Sequence, residues 1–266
     1  MPVSRSPLIL SGLLAIALAL SGCVAPRAGA PGDEAFNDPF EDTNRGTFAF
    51  NQEVDRNVLV PVAKAYRTIV PPPAQQSLHD FLQNLNHPII FANDVLQGQP
   101  GLAANTLGRF VVNTTIGVGG MFDVATRVGI PYHTNDLGVT LANWGFDSGP
   151  YVVIPVLGPS NVRDIVGQVG DSFGDPGGYF AGQYHKFYAS LGRTVAEGID
   201  TRSRNIESLA DIERTSLDYY ATIRSLYGQR RAAQIRHEQE NLPNPGFAGD
   251  SANGPPITYT VAPPQR

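Results

Sequence analysis

DPFEDTNRGTFAFNQEVDRNVLVP, residues 38–61, holds both a helix start and a proline that should end it. Asp38-Pro39-Phe40-Glu41 has the form of a capping box with Pro at the first helical position: the Asp38 carboxylate can accept a free backbone N–H of the first turn, and Glu41 sits where it can reach back. A helix is therefore expected from this point toward Val58. It should stop before Pro61, which can itself open a short helix with Val62, Tyr66 and Ile69 on one face. Pro71-Pro72-Pro73 would end that element.

The same helical grammar recurs along the chain. Leu78, Phe81, Leu82 and Leu85 follow i, i+3, i+4, i+7, so 74–86 reads as an amphipathic helix that Pro88 interrupts just past His87. Residues 89–97 read as another helix with Gly98 placed to cap it, and Pro100 opens a segment through Thr115 that carries Leu102, Leu107, Phe110 and Val111. Toward the C-terminus, 193–236 places Ile206, Leu209, Ile212, Leu217, Tyr220, Ile223 and Tyr227 at near-helical spacing among balanced charges, as a long surface helix should. Strand-like alternation is almost absent, with Tyr151 to Ile154 the one weak candidate. The residues thus point to an all-α domain over 38–240, with no internal linker or repeat.

One segment does not fit a simple helix. Leu107 to Val128 is apolar on average but is broken by Arg109, Asn113, Gly117, Gly119, Gly120 and Asp123. Ile116-Gly117-Val118-Gly119-Gly120-Met121-Phe122 combines backbone freedom with large apolar side chains, as a mobile hairpin tip requires. A tight turn between two core helices fits equally well.

With 42% hydrophobic and 16% charged residues among 266, the chain is low in charge for an ordinary soluble protein. A net charge of -5 and a pI near 5.5 exclude the basic face that nucleic-acid binding needs. Residues 1–22 read as an export signal, with Arg5 near a short apolar stretch from Leu8 to Leu20 that is too short to span a bilayer. Leu20-Ser21-Gly22-Cys23 follows with the form of a bacterial lipobox, whose cysteine becomes the lipid-bearing N-terminus. The competing reading is a plain cleavage site with an incidental buried Cys. Cys23 is the only cysteine, so no intramolecular disulfide can form, and acyl chains on it would anchor the chain durably at about 0.8 kcal/mol per CH₂. Val24 after it fits sorting to the outer membrane under the enterobacterial rule. Residues 23–37 read as a flexible lipidated tether and 241–266 as a disordered Pro-rich tail.

Candidate chemistry is thin. His79, His87, His133, His185 and His237 show no close ligand spacing, and His237-Glu238-Gln239-Glu240-Asn241 lacks the second His of a zinc-protease helix. Ser148 stands one place late for a lipase elbow, and the Gly117 cluster lacks the last glycine of a dinucleotide loop. Neither catalysis, a metal nor a cofactor is expected. Arg163 and Asp164 are adjacent and should not face each other on a helix. Trp144, Phe146 and Tyr151 suit either a membrane-interface belt or the core.

Several blocks resemble the MlaA (VacJ) family. Asp38-Pro39-Phe40-Glu41 with Asn44-Arg45 and Phe50-Asn51 is one; Asn84-Leu85, Pro88, Phe91-Ala92-Asn93 and Leu96-Gln97-Gly98 form a second. Arg109-Phe110, Asn113-Thr114, Gly117, Gly119-Gly120 and Asp123-Val124-Ala125 form a third. Trp144-Gly145, Gly149-Pro150-Tyr151, Pro155, Gly158-Pro159-Ser160 and Arg163-Asp164 match the middle motif, and residues 197–202, Glu-Gly-Ile-Asp-Thr-Arg, the C-terminal one. Thr43 and Asn44 within the first motif and the long tail depart from the pattern. The resemblance implies an all-helical, ring-shaped domain embedded in the outer membrane, with a central amphipathic channel and trimeric porins as partners. It implies removal of mislocalised phospholipids from the outer leaflet and their transfer to the periplasmic carrier MlaC, which maintains lipid asymmetry. By motif match the family's channel hairpin falls on Gly117 to Phe122, and Gly117, Gly119 and Gly120 would hinge a gate tipped by Ile116, Val118, Met121 and Phe122. A lipid hydrolase or a structural, porin-associated lipoprotein without transport would be the alternatives.

Overall fold

A computed structural model describes residues 38–174 and 182–240. Cys23, the signal and tether of 1–37 and the tail of 241–266 lie outside the described residues.

The first helix, α1 (Glu41–Val54), does not end where Pro61 suggests it should. It runs through a π-helical turn (Asp55–Leu59) directly into α2 (Val60–Ile69). Val54, Leu59 and Val60 all keep right-handed helical backbone, and the Val60 N–H reaches back five residues to the Asp55 carbonyl. A wider turn leaves the carbonyls ahead of Pro61 room and one fewer donor to satisfy, which is how a proline can sit inside a continuing helix.

Pro88 is overridden too. α3 spans Pro72–Leu96 as one helix of 25 residues with Pro88 inside it. An interior proline costs about 3 kcal/mol, but Leu82, Asn84, His87, Ile90, Asn93 and Asp94 are all buried along this helix, on both sides of the proline. Packing wins over local propensity. α3 ends as expected: Gly98 takes φ 69°, its N–H bonds the Val95 carbonyl, and the Gln99 N–H bonds the Asp94 carbonyl, the paired reach-back that a left-handed residue makes possible. α4 (Pro100–Thr115) then returns beside α3, to which it has the most extensive contact.

α5 (Val124–Arg127) and α6 (Leu137–Asn143) are short and start on capping carboxylates, Asp123 accepting from the Thr126 N–H and Asp136 from the Val139 N–H. Tyr151–Ile154 is a strand, β1, paired antiparallel with β2 (Gly158–Asn161) so that Tyr151 faces Asn161 and Ile154 faces Gly158. β2 was not legible, because Gly-Pro-Ser-Asn has no alternation. α7 (Val162–Gly174) follows, and the run expected as one long C-terminal helix is three: α8 (Gly182–Arg204), α9 (Ile206–Thr215) and α10 (Tyr219–Glu240). Among the described residues, no helix is long and apolar enough to cross a membrane.

What is buried is unusual. Among the described residues, nine apolar residues are buried, three of them alanine, against twenty polar or charged ones, while 26 large apolar side chains are exposed. The apolar core is slight: Tyr151, Val153 and Tyr220, with Phe48 and Tyr227 packed against them. Polar bonds hold the remainder. Asp38 accepts from the Tyr220 hydroxyl, from Arg224 at 2.7 Å and from the Asn44 amide at 2.8 Å, so it ties α1 to α10 instead of capping α1, whose N-cap position has no side-chain cap. A charge-assisted bond to arginine outcompetes a single amide N–H. Farther along α10, Tyr227 donates to Asp164 at 2.5 Å, and Arg231 pairs with both Asp136 and Asp164 at 2.7 Å.

Candidate functional site: the hairpin between α4 and α5

The turn closing α4 is hydrogen-bonded onto its own helix. The N–H groups of Gly119 and Gly120 reach the carbonyls of Thr114 and Asn113, both at 2.9 Å, and the Phe122 N–H reaches the Gly117 carbonyl at 3.0 Å. Val118, Gly119 and Gly120 are consecutively left-handed, with φ of 53°, 70° and 92°, a run that side chains beyond glycine adopt only under strain. Gly117 is needed for another reason, since a Cβ there would run into the backbone oxygens of Phe122 and Asn113. The result is a compact turn that turns its apolar side chains outward: Ile116, Val118, Met121 and Phe122 are each about half exposed or more.

Beneath that tip the base is polar and buried. Arg109, 1% exposed, gives one guanidinium nitrogen to Asp123 at 2.8 Å and another to the Ile130 carbonyl at 2.6 Å and the Thr126 hydroxyl at 3.0 Å. Its Nε points at the His87 ring nitrogen at 3.4 Å, and its guanidinium carbon lies 5.1 Å from the centre of the Tyr132 ring. Asn113 bridges both legs, donating to Asp123 at 3.1 Å and accepting from the Ala125 N–H at 2.8 Å. Burial alone would push the Asp123 carboxyl up, but the Thr126 hydroxyl and the Arg109 charge outweigh it and hold it below the usual range. Burial, and after it the Arg109 charge, depress His87 to about 4. The ring beside Arg109 is therefore neutral at pH 7.

Farther from the tip the polar seam between α3 and α4 continues. Asp94, fully buried, accepts from Thr106 at 2.6 Å and from Asn135 at 2.9 Å, and lies 3.0 Å from His133. Asn93 lies in the same layer, donating to Asp171 at 3.0 Å and accepting from Thr140 at 2.8 Å. This arrangement offers positions for polar groups inside and apolar groups outside.

The MlaA lipoprotein family model matches residues 36–234. The chain belongs to the MlaA lipoprotein family. A Rickettsia bellii protein of no assigned function is 35% identical over 202 residues, 75% of this chain and 77% of the relative. The intermembrane phospholipid transport system lipoprotein MlaA of Escherichia coli K12 is 34% identical over 222 residues, 82% and 86% of the two chains. A solved structure, described as the structural basis for maintenance of bacterial outer membrane lipid asymmetry, superposes with a TM-score of 0.67 at 34% identity. It covers 74% of this chain and 98% of its own.

Within this MlaA domain, Ile116 to Phe122 fall together in the one turn, as their spacing suggested. Cys23 lies outside the described residues. The histidines are scattered: His79 bonds Asp200 at 2.7 Å, His87 meets Arg109, His133 meets Asp94, His237 is buried, and His185 lies outside the described side chains. Ser148 sits in the turn before β1, its hydroxyl 3.3 Å from the Asp147 carboxylate and the Gly149 carbonyl. Arg163 does contact Asp164, at 3.3 Å, against expectation; adjacent Cβ directions diverge, but a long arginine can fold back along the first turn. The aromatic trio divides, with Trp144 and Phe146 exposed and Tyr151 in the core. Sequence reasoning missed Asp80, Asn84, Thr106 and His133 as parts of this site. For Asp80 and Asn84 a signal was present, a polar series at helical spacing with His87 beside the leucines of α3.

Proposed function

We propose that this chain is an outer-membrane lipoprotein that takes mislocalised phospholipids from the outer leaflet and passes them to the periplasm without catalysing a reaction. Membership of the MlaA family supports this reading, as does the name of the Escherichia coli relative. One observation in the molecule carries it: polar groups are buried and large apolar side chains exposed, the arrangement suited to a protein whose outer surface meets acyl chains. A phospholipid has a charged head and two apolar tails, so its route needs a wall polar on one side and apolar on the other. Helices satisfy their own backbone groups at membrane depth, and irregular backbone is tolerated there only when buried or lining a cavity.

In this proposal the helices enclose an amphipathic channel, and the tip of Ile116, Gly117, Val118, Gly119, Gly120, Met121 and Phe122 gates it. A Cβ at Gly119 would meet no neighbour, so the outer side of the tip is open. Cys23 carries the lipid anchor, with the domain facing the periplasm. Trimeric outer-membrane porins hold the protein in place, and the soluble carrier MlaC receives the lipid. The test is outer-leaflet phospholipid in a deletion strain. Levels should rise on deletion, fall again with the wild-type chain and stay high with Cys23→Ser. Unchanged lipid on deletion would instead mark a structural, porin-associated lipoprotein.

A further inference from the structure

We propose that Asp80 and Asn84, one turn apart on α3, are positioning residues that fasten the hairpin to that helix, so that the tip shifts only as α3 shifts. Asp80 holds the leg that follows the tip. Its carboxylate accepts the backbone N–H of Asp123 at 3.2 Å, and the Gln76 amide, donating at 2.7 Å, fixes the carboxylate's orientation. Asn84 holds the other leg and the tip itself. Its amide donates to the Thr114 hydroxyl at 3.0 Å, and its Cβ presses on Gly120 so closely that a Cβ there would stand 2.6 Å from it.

The position is an unfavourable one for a carboxyl group. Burial pushes its carboxyl above the usual range, and the neighbouring Asp123 charge adds to that; the Gln76 amide, the Asp123 N–H and His79 only partly offset it. An acid whose folded-state pKa is raised opposes folding at neutral pH. What the position achieves is an acceptor at one amide, the first beyond the tip. Because the turn is bonded internally from Gly117 to Phe122, fastening Gly120, Thr114 and the Asp123 N–H leaves little that can flex at the glycines alone.

The fastening stands on geometry, while its consequence for transport rests on the reading of the hairpin as a gate. Amide hydrogen exchange of the full-length protein in detergent separates the two. Asp80→Ala should speed exchange across residues 117–123 about tenfold, the effect of losing one hydrogen bond of ordinary strength, with α7 and α10 unaffected. Asp80→Asn keeps a carbonyl oxygen for the Asp123 N–H and should exchange like wild type. Asn84→Ser, which removes the amide that donates to Thr114 and stands nearest Gly120, should loosen the same segment and serves if Asp80→Ala does not fold. Wild-type exchange in Asp80→Ala and Asn84→Ser, or an Asp80→Asn as loose as the alanine variant, overturns the proposal. A loosened hairpin with unaltered outer-leaflet phospholipid leaves the fastening in place and removes the gate.

Discussion

At its base the hairpin rests on Arg109, Asp123, Asn113 and His87, which are polar and, apart from partly exposed Asp123, buried; at its tip Ile116, Val118, Met121 and Phe122 stand exposed. A water-soluble protein places the two kinds of side chain the other way round. The contrast separates two roles: the base determines whether the hairpin exists, and the tip is free to meet something apolar. Substitutions at the two ends should therefore differ in kind as well as in size.

The largest effect belongs to Arg109. Arg109→Leu would orphan the Ile130 carbonyl and take from Asp123 its only arginine among the bonds described. Breaking a buried ion pair from one side costs about 3–5 kcal/mol. Denaturant unfolding should show a loss of that order, and a loss under 1 kcal/mol would mean that water replaces the guanidinium and the base is not a dry polar lock.

Acid should attack the base next and leave the tip alone. His87 is held neutral by burial and by Arg109, down to about 4, against about 6.5 in the unfolded chain. A depressed folded-state value on a base means that the unfolded chain takes up the proton first, so stability falls as pH drops from about 6.5 toward 4 and this contribution levels off below. The full change amounts to roughly 3 kcal/mol. His87→Gln should flatten the pH dependence of stability in that window; an unaltered slope would assign it to other groups.

How far these elements could be read from the chain follows the same division. Turn and cap chemistry is local, so Gly98, Pro100 and the glycine turn at 117–120 announced themselves. Burial is not local. Leu78, Phe81, Leu82 and Leu85 marked an amphipathic helix, yet of these only Leu82 is fully buried, while Asn84, His87, Asn93 and Asp94 are buried on the same helix. Spacing along a helix marks where the apolar residues lie, and says nothing of which polar side chains tertiary bonds will bury beside them. Pro61 and Pro88 misled for the complementary reason, since a π turn and extensive packing absorbed costs that a local rule treats as decisive. Asp38 misled because its cap competed with Arg224, 186 residues away.

Between base and tip lies Gly117, whose substitution probes the turn without removing a charge. Gly117→Ala brings a methyl group against two backbone oxygens, and overpacking of this kind costs about 1–3 kcal/mol. Thermal unfolding should show it. A neutral result would place the flexibility of the hairpin at Gly117 and weaken the description of the turn as close-packed.

The smallest effect on stability, and the sharpest on function, should come from the tip. Phe122→Ala and Val118→Ala remove side chains that are 47% and 62% exposed, and exposed substitutions of this kind usually stay within about 0.5 kcal/mol. If the tip meets acyl chains during transfer, a strain carrying both substitutions should accumulate outer-leaflet phospholipid although the protein unfolds like wild type. A variant with wild-type lipid levels would leave the apolar tip as a membrane contact without a part in transfer. A variant that lost stability would show that Phe122 and Val118 pack against more than the turn, and the contrast between base and tip would have to be redrawn one residue closer to Asp123.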